Sequence, residues 1–385
     1  MDRRPSVSRS GVLCLLGVLL GCLGAGAQPE PRQPQPRTRQ PLQIVSRMPL
    51  LERQSVPTDI RWANDDSVYV SWDRDGVLEV GLDGARRREL VPNLKELGGL
   101  QHYSQLAVSP TSLAVASKNW TFAWRSLLAK ANGEVVFAKR KIPVTNDFDL
   151  QGDRVLLMGI SKPVLPPGVR DGWLNAYSAQ LRGAVAWVGT LSAQFQDFQP
   201  VLFDVGGAGA PNYLHCYAED IGAVRFLADG SFVIVPGFQD GVNLYDPSGK
   251  LVRSWTNAQV GLDTHLTCAL MTDEEKVKLG GEAYWGHWLN SHHLVDDILP
   301  LPQGPGLLVR SWGPDDQAHW TLKVLLPEGI ETYQVPIVGR RPPDRLRGDV
   351  RNGKVVLLLS ASGFPWSREP DNYPAEVFVA EIPNR

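Results

Sequence analysis

The chain has 385 residues, of which 43% are apolar and 21% charged, and its formal net charge is −2. These values exclude a disordered, collagen-like or membrane-embedded bulk, and a slightly acidic surface has no overall field to draw nucleic acid or anionic lipid. Two domains of ordinary size or one large closed β fold fit the length, and internal repeats decide between them.

Arg3, Arg4 and Arg9 precede an apolar run from Gly11 to Leu23, and Ala25-Gly26-Ala27 follow before Gln28. This order is that of a signal peptide, residues 1–27, whose apolar run is too short to span a bilayer. Cleavage after Ala27 leaves a mature chain without a transmembrane segment, expected outside the cytoplasm in the periplasm or secreted. Leu19-Leu20-Gly21-Cys22 reads alternatively as a lipobox, in which case a lipid on Cys22 anchors the chain at the cell envelope. Residues 28–42 hold Pro29, Pro31, Pro34, Pro36 and Pro41 among Gln and Arg, an extended linker that cannot build a core. Cys14 and Cys22 fall in the leader, so Cys216 and Cys268 of the mature chain either form one disulfide or stand as two thiols.

From residue 43 onward one unit recurs: a short alternating strand, a polar turn, a strongly apolar run, then a second hairpin. It is seen at Ile60 to Trp62 with Val68 to Val70, at Leu106 to Val108 with Leu113 to Ala116, and at Phe148 to Leu150 with Val155 to Met158. It returns at Val224 to Phe226 with Phe232 to Val235, at Ile298 to Leu301 with Leu307 to Val309, and at Leu346 to Val350 with Val355 to Leu359. Second hairpins are expected at Asp83-Gly84, Asn132-Gly133, Arg182-Gly183, Ser248-Gly249 and Glu328-Gly329. The last copy stops one strand early after Val377 to Ile382, while Leu42 to Leu51 precedes the first copy without a partner. Joining the two satisfies both edges, so residues 43–385 are expected to form an all-β, six-bladed β-propeller of four-stranded antiparallel blades. Its closing strand is N-terminal, and two loop insertions lie within residues 160–222 and 257–297.

The segment FLADGSFVIVPGFQDGVNLYDPSGKLVRSW, Phe226 to Trp255, has the order of strand, Asp-Gly turn and strand that six-bladed NHL and TolB-like propellers repeat, and the chain resembles them over nearly its whole mature length. The resemblance implies fold rather than function. It also implies an alternative, because some rings of this kind carry a metal-assisted lyase or lactonase site at the channel mouth.

Four of the seven histidines, His265, His287, His292 and His293, cluster in the second insertion with Trp285 and Trp288. Imidazoles bind metals or act as bases, and indole faces stack on sugars or cations, so Trp285, His287, Trp288, His292 and His293 are the candidate ligand-binding residues. Neither HExxH nor a paired CxxC framework is present, and no metal ligand, cofactor or catalytic residue is assigned. Asp296-Asp297 and Glu219-Asp220 are each expected just before an innermost strand as hydrophilic loop residues, the alternative being an acidic ring at the channel mouth that holds a divalent cation. Thr272 and Glu275 stand at capping-box spacing before Gly280-Gly281, which predicts a short helix over one mouth. Trp62, Trp72, Trp255 and Trp312 are expected to fill the rim where blades diverge. The reading that follows is an exported, non-catalytic scaffold for an unknown protein or for a small-molecule or carbohydrate ligand. Its alternative is the metal-assisted propeller enzyme.

Overall fold

Apolar runs joined by tight polar turns pair with their neighbours in sequence, because a short turn makes antiparallel pairing the contact of lowest entropic cost. At Asp229-Gly230, for example, Asp229 Oδ1 accepts from the Ser231 N–H at 3.0 Å and Gly230 takes φ +86°, which a side chain would disfavour. The computed structural model describes residues 37–50, 56–72, 76–91, 103–110, 112–118, 124–130, 135–136, 141–142, 145–159, 184–190, 198–203, 222–236, 241–263, 292–315, 317–339, 344–360 and 375–383.

Two strands come first, β1 (Arg37–Thr38) and β2 (Gln43–Pro49). The first sheet follows as β3 (Pro57–Trp62), β4 (Ser67–Trp72), β5 (Gly76–Gly81) and β6 (Arg86–Val91). The second is β7 (Tyr103–Val108), β8 (Ser112–Lys118) and β9 (Trp124–Lys130), with β10 (Val135–Val136) and β11 (Lys141–Ile142) both pairing with β9. The third is β12 (Thr145–Gln151), β13 (Arg154–Gly159), β14 (Ala184–Thr190) and β15 (Gln199–Phe203). The fourth is β16 (Gly222–Phe226), β17 (Phe232–Pro236), β18 (Val242–Tyr245) and β19 (Leu251–Trp255), followed by the single-turn helix α1 (Asn257–Val260). The fifth is β20 (Leu294–Leu301), β21 (Gly304–Trp312), β22 (Ala318–Leu326) and β23 (Gly329–Gly339). The sixth is β24 (Arg345–Arg351), β25 (Lys354–Ser360) and β26 (Glu376–Glu381), completed by β2 in the order β2-β26-β25-β24.

The first strands of the six sheets touch in a closed circle, β3 to β7, β12, β16, β20, β24 and back to β3. This is a six-bladed propeller, closed as the unpaired N-terminal segment and the short last copy require: Gln43 lies opposite Glu381 and Pro49 opposite Glu376. Just upstream, β1 adds in parallel to the outer edge of β23, and the Leu42 N–H donates to the Gln334 carbonyl at 2.9 Å. One departure concerns the third sheet, whose second hairpin joins β14 to β15 across residues 191–198; Arg182-Gly183 instead precede β14.

The core is a set of seams between blades, and β25 shows how one strand serves two of them. Val355, Leu357 and Leu359 pack on the fifth sheet with Leu299, Trp320 and Leu322, while Val356 and Leu358 pack on the first with Ile60, Val68 and Val70. A strand buried on both faces has no polar face to alternate with, which is why it reads as an unbroken apolar run. Trp72 and Trp255 are buried, as is Trp62, but Trp62 belongs to the innermost strand β3 and so does not fill the rim. The helix α1 was not evident from periodicity: Thr256 caps it, Gln259 completes the capping box and Gly261 ends it with φ +65°.

Within an antiparallel blade, the turns after the first and third strands lie at one face of the ring, and those after the second and fourth at the other. The strand ends joined by residues 92–102, 160–183, 204–221, 264–291 and 361–374 all belong to the second kind. The opposite face has connections as short as residues 152–153, 302–303 and 352–353. Side chains tie that face from blade to blade. Arg351 Nε donates to Asp65 Oδ1 at 2.6 Å, Arg154 Nη1 to the Gly230 carbonyl at 2.9 Å, and Arg253 Nη1 to the Pro327 carbonyl at 3.0 Å.

Candidate functional site: a charged plug in the channel

Four innermost strands carry a β-bulge at the same place, between Pro57 and Asp59, Tyr103 and Gln105, Thr145 and Asp147, and Val295 and Asp297. An extra residue re-aims the side chain that follows it. The residues so placed are Asp59, Gln105, Asp147 and Asp297, all buried.

Three of these acids act in the same way on the next blade. Asp59 Oδ2 accepts from the Leu106 N–H at 2.8 Å, Asp147 Oδ2 from the Val224 N–H at 2.9 Å, and Asp297 Oδ2 from the Gly348 N–H at 2.9 Å. A second tier repeats the contact two residues later, Asp149 Oδ2 with the Phe226 N–H at 2.8 Å and Asp349 Oδ2 with the Trp62 N–H at 3.0 Å. Innermost strands have one edge without a ladder partner, and these carboxylates satisfy N–H groups that would otherwise be buried unpaired.

Arg61, Arg225 and Arg347 supply the counter-charge, each no more than 4% exposed. Arg61 Nη1 lies 2.6 Å from Asp59 Oδ1 and 3.8 Å from Asp297 Oδ2. Arg225 Nη2 lies 2.9 Å from Asp297 Oδ1, its Nη1 3.8 Å from Asp149 Oδ1, and its Nε donates to the Ile298 carbonyl at 3.0 Å. Arg347 Nη1 stands 3.9 Å from Asp147 Oδ1 and 4.0 Å from Asp297 Oδ1. Asp297, fully buried, is therefore the hub. Burial alone would raise its pKa, but the three guanidinium groups outweigh burial and hold it below the usual carboxylate range. Burial raises Asp149 against the pull of Arg225 and Arg61, and pushes Asp147 up to about 7.

The structure thus corrects the placement of Asp296-Asp297 in a loop before the innermost strand, and with it their part in the alternative cation-binding mouth. Asp296 and Asp297 lie inside β20, and Asp297 is committed to arginines and backbone. The bulge sends Asp296 to a different task, accepting from Trp320 Nε1 at 2.7 Å and the Leu346 N–H at 3.2 Å. Among the described residues no group of three or more His, Cys, Asp or Glu side chains is placed to hold a metal ion. Glu219-Asp220, Cys216, Cys268 and the helix expected from Thr272 lie outside the described residues, as do Trp285, His287 and Trp288. Of the five candidate ligand-binding residues, His292 and His293 are described and stand immediately before β20. His292 is half-buried and His293 exposed, and the His293 N–H donates to Asp263 Oδ2. That places both at the face of the long connections.

What sequence reasoning missed is the plug itself. Its signal was present as the recurring triplets Thr58-Asp59-Ile60, Ser104-Gln105-Leu106, Asn146-Asp147-Phe148 and Asp296-Asp297-Ile298, one on each of the four bulged innermost strands.

No family model matches the chain, and no curated protein does. Solved structures similar to it are β-propellers. A member of the DUF4221 family from Bacteroides vulgatus aligns with TM-score 0.51 at 10% identity, over 89% of this chain and 98% of that one. A calcium-binding protein, regucalcin, from Agrobacterium tumefaciens aligns with TM-score 0.46 at 11% identity, over 90% and 97%. A gluconolactonase from Xanthomonas campestris gives TM-score 0.43 at 10% identity, over 88% and 94%. Identities this low speak to fold alone, and no described helix is long and apolar enough to cross a membrane. The geometry is that of a β-propeller whose innermost strands enclose an ion-paired plug.

Proposed function

We propose that the chain is an exported propeller that binds a protein, small-molecule or carbohydrate ligand on one face and carries out no chemistry of its own. The observation that supports this most is the asymmetry of the ring: the long connections leave one face, while the other has tight turns tied blade to blade. A rigid scaffold holding long segments at one end is a common arrangement for recognition surfaces. The plug adds to this, since side chains committed to one another inside the channel leave the face as the place for a ligand. Trp285, His287, Trp288, His292 and His293 are the residues we assign to ligand contact, with indole stacking on a sugar ring as the chemistry that suits them.

Titration of the purified protein with a panel of soluble oligosaccharides is expected to quench tryptophan fluorescence saturably, without release of product. Replacing Trp285 and Trp288 by Ala should weaken that binding about tenfold or more while the melting temperature is kept, about 1–3 kcal/mol being the scale of one or two good stacking contacts. Turnover of any member of the panel, or quenching unchanged in the double variant, would overturn the assignment.

Export is part of the same proposal. Mass spectrometry of the mature protein from the native host is expected to find Gln28 at the N-terminus. A lipidated Cys22 there would instead make the chain an anchored lipoprotein.

A further inference from the structure

Among the described residues the core of the plug holds four buried carboxylates, Asp59, Asp147, Asp149 and Asp297, against three guanidinium groups, Arg61, Arg225 and Arg347, with the half-buried Asp349 at its edge. One acid is in excess, and the hydrogen-bond geometry singles out which. Asp59 and Asp297 each accept from an arginine on one oxygen and from backbone on the other, and Asp149 accepts from the Phe226 and Leu150 N–H groups, whereas Asp147 Oδ1 is buried with no hydrogen-bond partner, and so is the Arg347 Nη1 that faces it. The two atoms are 3.9 Å apart, too far for a hydrogen bond. An ionised carboxylate in a dry site would be expected to close that gap, because an unpaired buried charge is costly.

We infer that Asp147 is a proton-binding residue of the folded ring and carries the proton on the Oδ1 that finds no hydrogen-bond partner. In that core the proton leaves three carboxylates against three guanidinium groups. The groups that face Asp147 agree. Its own strand brings Asp149, β16 brings Arg225, β20 Asp297, β24 Arg347 and, at the edge, Asp349, and β3 Asp59 and Arg61, while β7 contributes the uncharged Gln105. On β13 the charged residue is Arg154, which turns away to the Gly230 and Pro247 carbonyls. Arg347 and Arg225 favour the anion, Asp297 opposes it, and burial decides, raising Asp147 to about 7 from an ordinary value of 3.8.

The sign of the linkage follows. Between the ordinary carboxylate range and neutrality the folded chain holds a proton that the unfolded chain has lost, so this group stabilises the fold fully in acid, and that contribution falls as pH rises to about 7. Above neutrality it is gone.

The test compares wild type with Asp147→Asn, which mimics the protonated acid. Over this window the wild-type unfolding equilibrium constant is expected to rise by about tenfold per pH unit relative to the variant. Near pH 5.5, about one additional proton is expected to be released on unfolding by wild type, measured by calorimetry in buffers of different ionisation enthalpy. On the intact wild type, the infrared carboxylic-acid C=O band should be present at that pH and lost above neutrality. Equal proton release and parallel pH profiles in the two proteins would overturn the inference, as would the absence of the infrared band or failure of Asp147→Asn to fold.

Discussion

Asp297→Ala is expected to lower the unfolding free energy by about 3–5 kcal/mol, the loss that follows when one partner of a buried ion pair is removed and the other stays. Arg225 would lose its 2.9 Å partner, Arg61 and Arg347 their nearest shared charge, and the Gly348 and Ile298 N–H groups their acceptor. Because Asp297 is fully buried, water cannot replace it without opening the channel. Urea unfolding followed by circular dichroism measures the effect, and the exposed pair of Arg351 and Asp65 is the control, since an ion pair in water contributes little. A loss at Asp297 no larger than that of Asp65→Ala would mean that the plug does not hold the ring together. The two core acids also answer pH in opposite directions. Asp297, held low, contributes fully above the ordinary carboxylate pKa and loses its contribution only in strong acid, whereas Asp147, held high, contributes most in acid.

Deleting residues 37–50 is expected to cost the folded monomer altogether. The deletion removes β2 with its ladder to β26, and with it the buried side chains of Leu42, Met48 and Leu50. At about 1.5–3 kcal/mol for each buried side chain the apolar part alone approaches the ~5–15 kcal/mol by which domains are stable. The edge of β26 would also stand open, with Val377, Phe378 and Val379 uncovered, and an open apolar edge pairs with other chains. Size-exclusion chromatography should show aggregates, and a synthetic peptide of residues 37–50 added during refolding should restore the monomer. A truncated protein that elutes and melts like the full chain would show that closure does not depend on β2.

Sequence periodicity was enough to place most of the strands and to locate the closure, because both depend on local signals. Alternation marks β3 and β16, unbroken apolar runs mark β17 and β25, and tight turns at Asp83-Gly84 and Ser248-Gly249 join neighbours in the chain. The third sheet is the exception with a physical cause. Arg182-Gly183 has the composition of a hairpin turn, but β14 pairs onward across residues 191–198, and turn composition alone does not say which strands a turn joins. The helix α1 escaped because a single turn is set by its caps and has no period to detect.

The amino-acid order by itself determined a six-fold strand repeat, its missing strand and the segment that supplies it, since these follow from periods of two and from short-range turns. Only the tertiary structure decided where the charges go. Asp59, Asp147, Arg225, Asp297 and Arg347 are far apart in the chain and look like ordinary polar strand positions. The triplets around the acids recur in the sequence, but their burial at one point with the arginines is a property of the closed ring, in which bulges re-aim Asp59, Asp147 and Asp297.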